Sequence, residues 1–155
     1  NIWTPEDAGR KKSLPVFVWF HGGAFAGGSA SRETCSGERF AQGEVIQVNV
    51  AYRLNALGFF SGKELADEND GVQGNMGLLD QIAALKWIRQ NIEAFGGDAD
   101  NVTIGGESAG AFSVSNLIMS KAARGLFKRA ILESGNLIGQ PAMIPLASGD
   151  SAQAG

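Results

Sequence analysis

The chain is poor in the residues that build cross-links and metal centres. Its 155 residues include one cysteine, Cys35, and one histidine, His21. A single cysteine excludes a disulfide framework within the chain, and the pair together argues against a zinc centre built from His and Cys. We therefore expect no metal centre of this kind.

Long apolar runs and a strong charge bias are also missing. The longest aromatic and aliphatic run, residues 14–20, contains a proline and falls far short of the ~20 residues needed to cross a bilayer. The formal charge of only -3 removes any general attraction to nucleic acid. We expect no membrane span and no nucleic-acid partner, and the oligomeric state stays open.

The remaining composition is that of a globular domain. Hydrophobic residues make up 44% of the chain and charged residues 19%, which excludes a disordered polyelectrolyte. The chain opens at Asn1 without an initiator Met or a signal-peptide pattern, so its localisation stays open. This start is typical of an internal cut.

Four apolar segments predict buried strands. They are short, rich in β-branched and aromatic residues, and bounded by glycine or polar residues. The segments are 14–20, 44–52, 101–104 and 129–133.

Two helices are predicted between and after these strands. In the first, apolar residues recur at steps of three and four and line one face, and Gly96-Gly97 terminates it. The face consists of Leu78, Ile82, Leu85, Ile88, Ile92 and Phe95. The second helix covers residues 108–119. Buried strands that alternate with helices predict an α/β fold with a mostly parallel central sheet and flanking helices.

A short motif lies between the third strand and the second helix. Residues 106–110 read Gly-Glu-Ser-Ala-Gly and fit the Gly-x-Ser-x-Gly nucleophile elbow, a strained turn that lifts a serine hydroxyl above the sheet edge. Taken alone, the pentapeptide also fits an ordinary strand-to-helix turn in a glycine-rich chain.

The loop after the first long strand strengthens the catalytic interpretation. Residues 21–25 read His-Gly-Gly-Ala-Phe, and in hydrolases with this elbow the corresponding loop supplies backbone N–H groups to an oxyanion hole. For His21 a structural role is favoured over a catalytic one, because elbow enzymes order their triad as serine, then acid, then histidine.

Together these segments resemble the type-B carboxylesterases, the cholinesterase-like branch of the α/β-hydrolases. The resemblance rests on residues 1–5, 21–25, 75–81, 95–110 and 130–135. It implies a partial α/β-hydrolase fold in which residues 1–155 form the N-terminal and central portion of a single catalytic domain, with the C-terminal part missing.

The resemblance also implies roles for individual residues. Ser108 would be the nucleophile, and the N–H groups of Gly23, Ala24 and Ala109 would form the oxyanion hole. Glu107 would lie beside the site as a buried acid, although a structural role is also open. Arg53 and Asp80 resemble a family pair that braces the sheet against the helix.

No histidine follows Ser108, so the chain holds a nucleophile without the base that activates it. We therefore expect an internal fragment of an ester hydrolase that acts on a small-molecule ester through a serine acyl-enzyme, with no metal and no organic cofactor. Two alternatives remain: a non-catalytic, cholinesterase-like binding or adhesion module, and an inactive fragment.

Overall fold

A computed structural model describes residues 1–9, 13–61 and 74–135 of the chain. Within these ranges the strands are β1 (Ile2–Trp3), β2 (Leu14–Phe20), β3 (Ile46–Val50), β4 (Gly97–Glu107) and β5 (Arg129–Glu133). The α-helices are α1 (Glu38–Gln42), α2 (Asn55–Phe59), α3 (Met76–Asn91) and α4 (Ala109–Met119). Short 3₁₀ turns cover Glu33–Cys35, Ile92–Phe95 and Lys121–Ala123.

The five described strands form one sheet in the order β1-β3-β2-β4-β5. All neighbours pair in parallel except β1, which runs antiparallel to β3. The predicted mostly parallel α/β sheet is therefore confirmed. Each of the four predicted strands is present, although β3 is shorter than predicted and β4 extends further at both ends.

The core lies between the sheet and the two longer helices. Along β2, buried side chains at 14, 16, 18 and 20 alternate with half-buried ones, as the pleat of a strand requires. They join one apolar cluster with residues of α3 and α4, including Leu85, Ile88, Val114 and Leu117. This packing holds α3 and α4 against the sheet.

One residue of the predicted helical face was placed wrongly. Phe95 is 38% exposed and contacts the ring of Trp87, whereas Ile82, Leu85, Ile88 and Ile92 are buried. The α-helix ends at Asn91, and the 3₁₀ turn that follows advances each residue by a larger angle. The last predicted position therefore rotates off the buried face.

Among the described residues, β5 pairs with one strand only, β4, and most of β5 is exposed.

In the described part of the chain, no helix is both long and apolar enough to cross a membrane.

Candidate active site

The two predicted motifs meet at the carboxyl edge of the sheet. β2 and β4 are parallel neighbours, with Phe20 opposite Gly106, so the segments that follow them leave the sheet side by side. A methyl group built on Gly22 would lie 3.2 Å from the Ser108 Cβ and 2.6 Å from the Glu107 Oε2. The fold thus brings residues 21–25 and 106–110 into direct contact.

Ser108 occupies a strained turn. It is the N-cap residue of α4 and has φ 52° and ψ -116°, a region that non-glycine residues rarely adopt. Its N–H donates to the Glu133 carbonyl oxygen at 2.9 Å, and its own carbonyl accepts from the Phe112 N–H at 3.0 Å. These contacts with β5 and α4 hold the unfavourable backbone conformation.

The two glycines of the motif are required by close backbone approach. A methyl group on Gly106 would lie 2.4 Å from the Gly110 carbonyl carbon, and one on Gly110 would lie 1.9 Å from the Phe20 carbonyl oxygen. Neither position has room for a side chain. The spacing of the motif therefore allows α4 to begin directly against the ends of β2 and β4.

The loop after β2 is a compact turn with unusual backbone angles. Gly23, Ala24 and Phe25 have φ values of 120°, 54° and 60°. The Gly23 carbonyl accepts from the N–H groups of Ala26 and Gly27 at 3.0 Å each, and the Phe25 carbonyl accepts from the Asn55 N–H at 2.7 Å. The loop is thus anchored through its carbonyl groups.

The N–H groups predicted for the oxyanion hole are available as donors. Among the described residues, the N–H groups of Gly23 and Ala24 donate to no protein acceptor. Ala109 is the first residue of α4, so its N–H has no partner within that helix. The positive end of the α4 dipole also favours negative charge at this place.

Glu107 departs from the expectation of a buried acid. It is exposed, although its carboxylate lies against Gly22 beside Ser108. It is the last residue of β4, at the rim of the sheet, and its register partner on β5 is Glu133. Nothing in the described part of the chain covers this rim, so the carboxylate keeps its contact with solvent.

His21 is engaged in packing. It is buried, and its ring stacks on that of Tyr52 with 4.6 Å between centroids. Nδ1 lies 2.9 Å from the Gly22 carbonyl oxygen, which can only accept, so this contact requires a proton on Nδ1. The geometry agrees with the structural role favoured from the sequence.

Arg53 and Asp80 form a bidentate pair between the segment after β3 and helix α3. The Arg53 Nε and terminal nitrogen donate to the two carboxylate oxygens at 2.8 and 2.7 Å, and the Arg53 N–H adds a third bond. The hydrogen bond from Arg53 lowers the pKa of Asp80, and the same bond raises the pKa of Arg53. Asp80 thus stays charged and holds α3 against the strand end.

Sequence reasoning assigned no role to Tyr52, Gly28 or Gly135. Gly135 has no space for a side chain, since a methyl group there would lie 2.8 Å from the Ser108 carbonyl oxygen. Tyr52 and Gly28 enclose His21 from two sides. The available signals were a single tyrosine directly after a buried strand and a second glycine pair after the His-Gly-Gly loop.

Comparison with known proteins gives a consistent assignment. The sequence model of the "Carboxylesterase family" matches residues 1–154. Para-nitrobenzyl esterase from Bacillus subtilis is 52% identical over 136 residues, which cover 87% of this chain and 27% of that protein. Carboxylesterase EST55 from Geobacillus stearothermophilus has a TM-score of 0.80 at 50% identity, over 87% of this chain and 29% of its own.

A third relative is the juvenile hormone esterase from Manduca sexta, whose structure carries OTFP covalently attached. It has a TM-score of 0.78 at 44% identity, over 87% of this chain and 24% of its own. The chain thus spans about a quarter of the length of the relatives it matches. Its sheet corresponds to part of the α/β-hydrolase fold of these esterases. On sequence and fold together, the chain belongs to the carboxylesterase family.

Proposed function

We propose that the protein containing this chain hydrolyses carboxylic esters, with Ser108 as the nucleophile. The observation that carries the proposal is the contact between the Ser108 turn and the loop at Gly22. A strained serine at a helix N-terminus, beside a loop whose N–H groups at Gly23 and Ala24 have no acceptor in the described part of the chain, is the arrangement that acyl transfer needs.

In the proposed reaction, the Ser108 Oγ attacks the ester carbonyl carbon and its proton passes to a base. The carbonyl oxygen becomes an oxyanion that accepts hydrogen bonds from the N–H groups of Gly23, Ala24 and Ala109. The alcohol leaves with a proton, and water then hydrolyses the acyl-serine ester to release the acid. This chemistry uses no metal and no organic cofactor.

The base would come from residues outside this chain. The only histidine of the chain is His21, which is buried and packed against Tyr52. A serine hydroxyl is a poor nucleophile without a base. We accordingly propose that residues 1–155 form the N-terminal and central portion of one catalytic domain and that its remainder supplies the triad acid and histidine.

The relatives support this reaction class. Those named above are esterases, and one of them carries a covalently attached molecule, as expected where a protein forms covalent intermediates. The substrate would be a small-molecule ester, and the formal charge of -3 argues against a nucleic-acid partner.

The decisive experiment compares the whole protein with its Ser108→Ala variant. We expect hydrolysis of p-nitrophenyl acetate and stoichiometric labelling by an organophosphonate, with both lost in the variant and the rate falling by roughly 10⁴-fold or more. Ser115→Ala, a buried serine on the same helix, is the control and should keep the label. Intact mass spectrometry gives the labelling result directly.

Two outcomes would reject the proposal. Labelling and turnover that survive Ser108→Ala would place the nucleophile elsewhere. A whole protein that neither hydrolyses esters nor takes the label would favour the non-catalytic binding module.

The isolated 155-residue chain should lack the burst of acylation, since its buried histidine is not placed as a base. A burst that disappears in His21→Ala would identify His21 as the base and overturn the role given to it here. The measurement is burst kinetics with p-nitrophenyl acetate on the purified chain.

A further inference from the structure

Tyr52 contacts the loop that carries two of the oxyanion donors. It is the only tyrosine in the chain and lies two residues after β3, with 5% of its surface exposed. Its hydroxyl donates to the His21 carbonyl oxygen at 2.6 Å, and its ring lies against the His21 imidazole with an interplanar angle of 19°. One side chain thus holds both the backbone and the ring of His21.

The backbone at Gly28 also lies against His21. A methyl group on Gly28 would lie 2.4 Å from the His21 Nδ1 and 2.5 Å from the Gly22 carbonyl oxygen. The segment 22–28 therefore returns onto the imidazole, and Gly28 leaves no room for a side chain beside it.

This contact matters because the loop has an unfavourable backbone conformation at two non-glycine residues. Ala24 and Phe25 have positive φ values, which non-glycine residues keep only where surrounding contacts impose them. Gly23 and Ala24 follow His21 almost directly in the chain. A shift of the His21 carbonyl would accordingly displace their N–H groups, and the stabilisation of an oxyanion depends on the position of its donors.

We propose that Tyr52 is a positioning residue for the oxyanion hole, acting through the carbonyl and ring of His21. The proposal rests on the function proposed above for Ser108. It assigns Tyr52 no contact with substrate, so its loss should slow the chemical step while leaving substrate binding nearly unchanged.

The protonation state of the phenol suits this role. Burial raises the pKa of Tyr52 to about 12. The hydroxyl therefore keeps its proton, and remains a donor to the His21 carbonyl, throughout the neutral range.

The test is Tyr52→Phe in the whole protein, which removes the hydroxyl and keeps the stacked ring. Ser113→Ala is the matched control, because it also removes one buried hydrogen bond, from the Gln81 Nε2 at 2.9 Å, away from the loop. Two readouts are needed: amide hydrogen exchange of the peptide covering 21–28, and kcat and KM for p-nitrophenyl acetate.

We expect Tyr52→Phe to speed exchange in this peptide several-fold and to lower kcat about tenfold, with KM within about twofold. The loss should be smaller than the ~10²–10³ of removing an oxyanion donor outright. Ser113→Ala should leave both readouts of the loop near wild type.

Unchanged exchange in the 21–28 peptide would overturn the proposal, whether or not the protein hydrolyses esters. Faster exchange with unchanged kcat would also overturn it, as would an equal fall of kcat in Ser113→Ala. Absence of ester hydrolysis in the wild type would instead reject the function proposed for Ser108, and the exchange result would still decide whether Tyr52 holds the loop.

Discussion

At the Ser108 turn, backbone packs directly on backbone. Gly106 and Gly110 let α4 begin within contact of β2 and β4, and a methyl group on Gly110 would overlap the Phe20 carbonyl oxygen at 1.9 Å. The 22–28 loop has backbone hydrogen bonds of its own, but it also relies on the side chains of Tyr52 and His21. One half of the candidate site thus rests on backbone contacts that two glycines allow, whereas the other half also depends on the side chain of a residue 31 positions from His21.

The largest effect should come from breaking the turn itself. Gly110→Ala places a methyl group into the backbone of β2, which cannot shift without disrupting the sheet. We expect a loss of at least ~3 kcal/mol in the free energy of unfolding, together with loss of activity. Urea denaturation of the whole protein measures this. Gly43→Ala, where a methyl group meets only ordinary contacts at 3.5 Å, should unfold like the wild type.

The next largest effect should come from Ala24, where two substitutions distinguish the role of the backbone N–H group from that of the side chain. Ala24→Pro removes the donor and cannot adopt φ 54°, so kcat should fall by roughly 10²–10³. Ala24→Gly keeps the donor and suits the positive φ, so kcat should stay close to wild type. Equal losses in both variants would show that the side chain, and not the N–H, is what the site requires.

Substitutions at Gly27 and Gly28 test whether the contact with His21 supports the 22–28 loop. Gly28→Ala would press on the His21 ring and on the Gly22 carbonyl and also has φ 118°, whereas Gly27→Ala meets nothing within 4 Å. We expect about a tenfold fall in kcat for the first variant and little change for the second. Steady-state kinetics of the two variants measures this. Equal kcat values for both would contradict the importance of the His21 contact.

The smallest effect should come from the ion pair between Arg53 and Asp80, which holds α3 against the strand end. The pKa of Asp80 is lowered by Arg53, so the pair adds stability above the ordinary value of 3.8 and loses it as the pH falls through the lowered pKa of the folded state. Asp80→Asn should lower the Tm at pH 7 by at most a few degrees, because the pair is partly exposed.

The Tm difference between wild type and Asp80→Asn should shrink on acidification, which a thermal melt series from pH 7 downward would show. Asp100→Asn is the control, since that carboxylate is 81% exposed and its pair with Arg89 should matter less. A difference that grows as the pH falls would contradict the assigned sign.

Much of the fold followed from local pattern. The run at 14–20 and the segment 129–133 form strands with the predicted bounds, and the second helix ends at Met119 as predicted but begins one residue later, at Ala109. The errors lie where neighbours in space decide. Phe95 left the buried face because the helix ended in a 3₁₀ turn, and Glu107 is exposed because nothing described covers the end of β4.

The sequence by itself determined the alternation of strands and helices, the family, and the position of Ser108 between β4 and α4. These features depend on periodicity and on contacts among residues within a few positions of one another. Only the tertiary structure decided that Tyr52 bonds to the His21 carbonyl and that Gly28 closes over the same ring. Such contacts join distant segments and depend on the shapes of side chains and the directions of hydrogen bonds. Neither property produces a periodic pattern in the sequence.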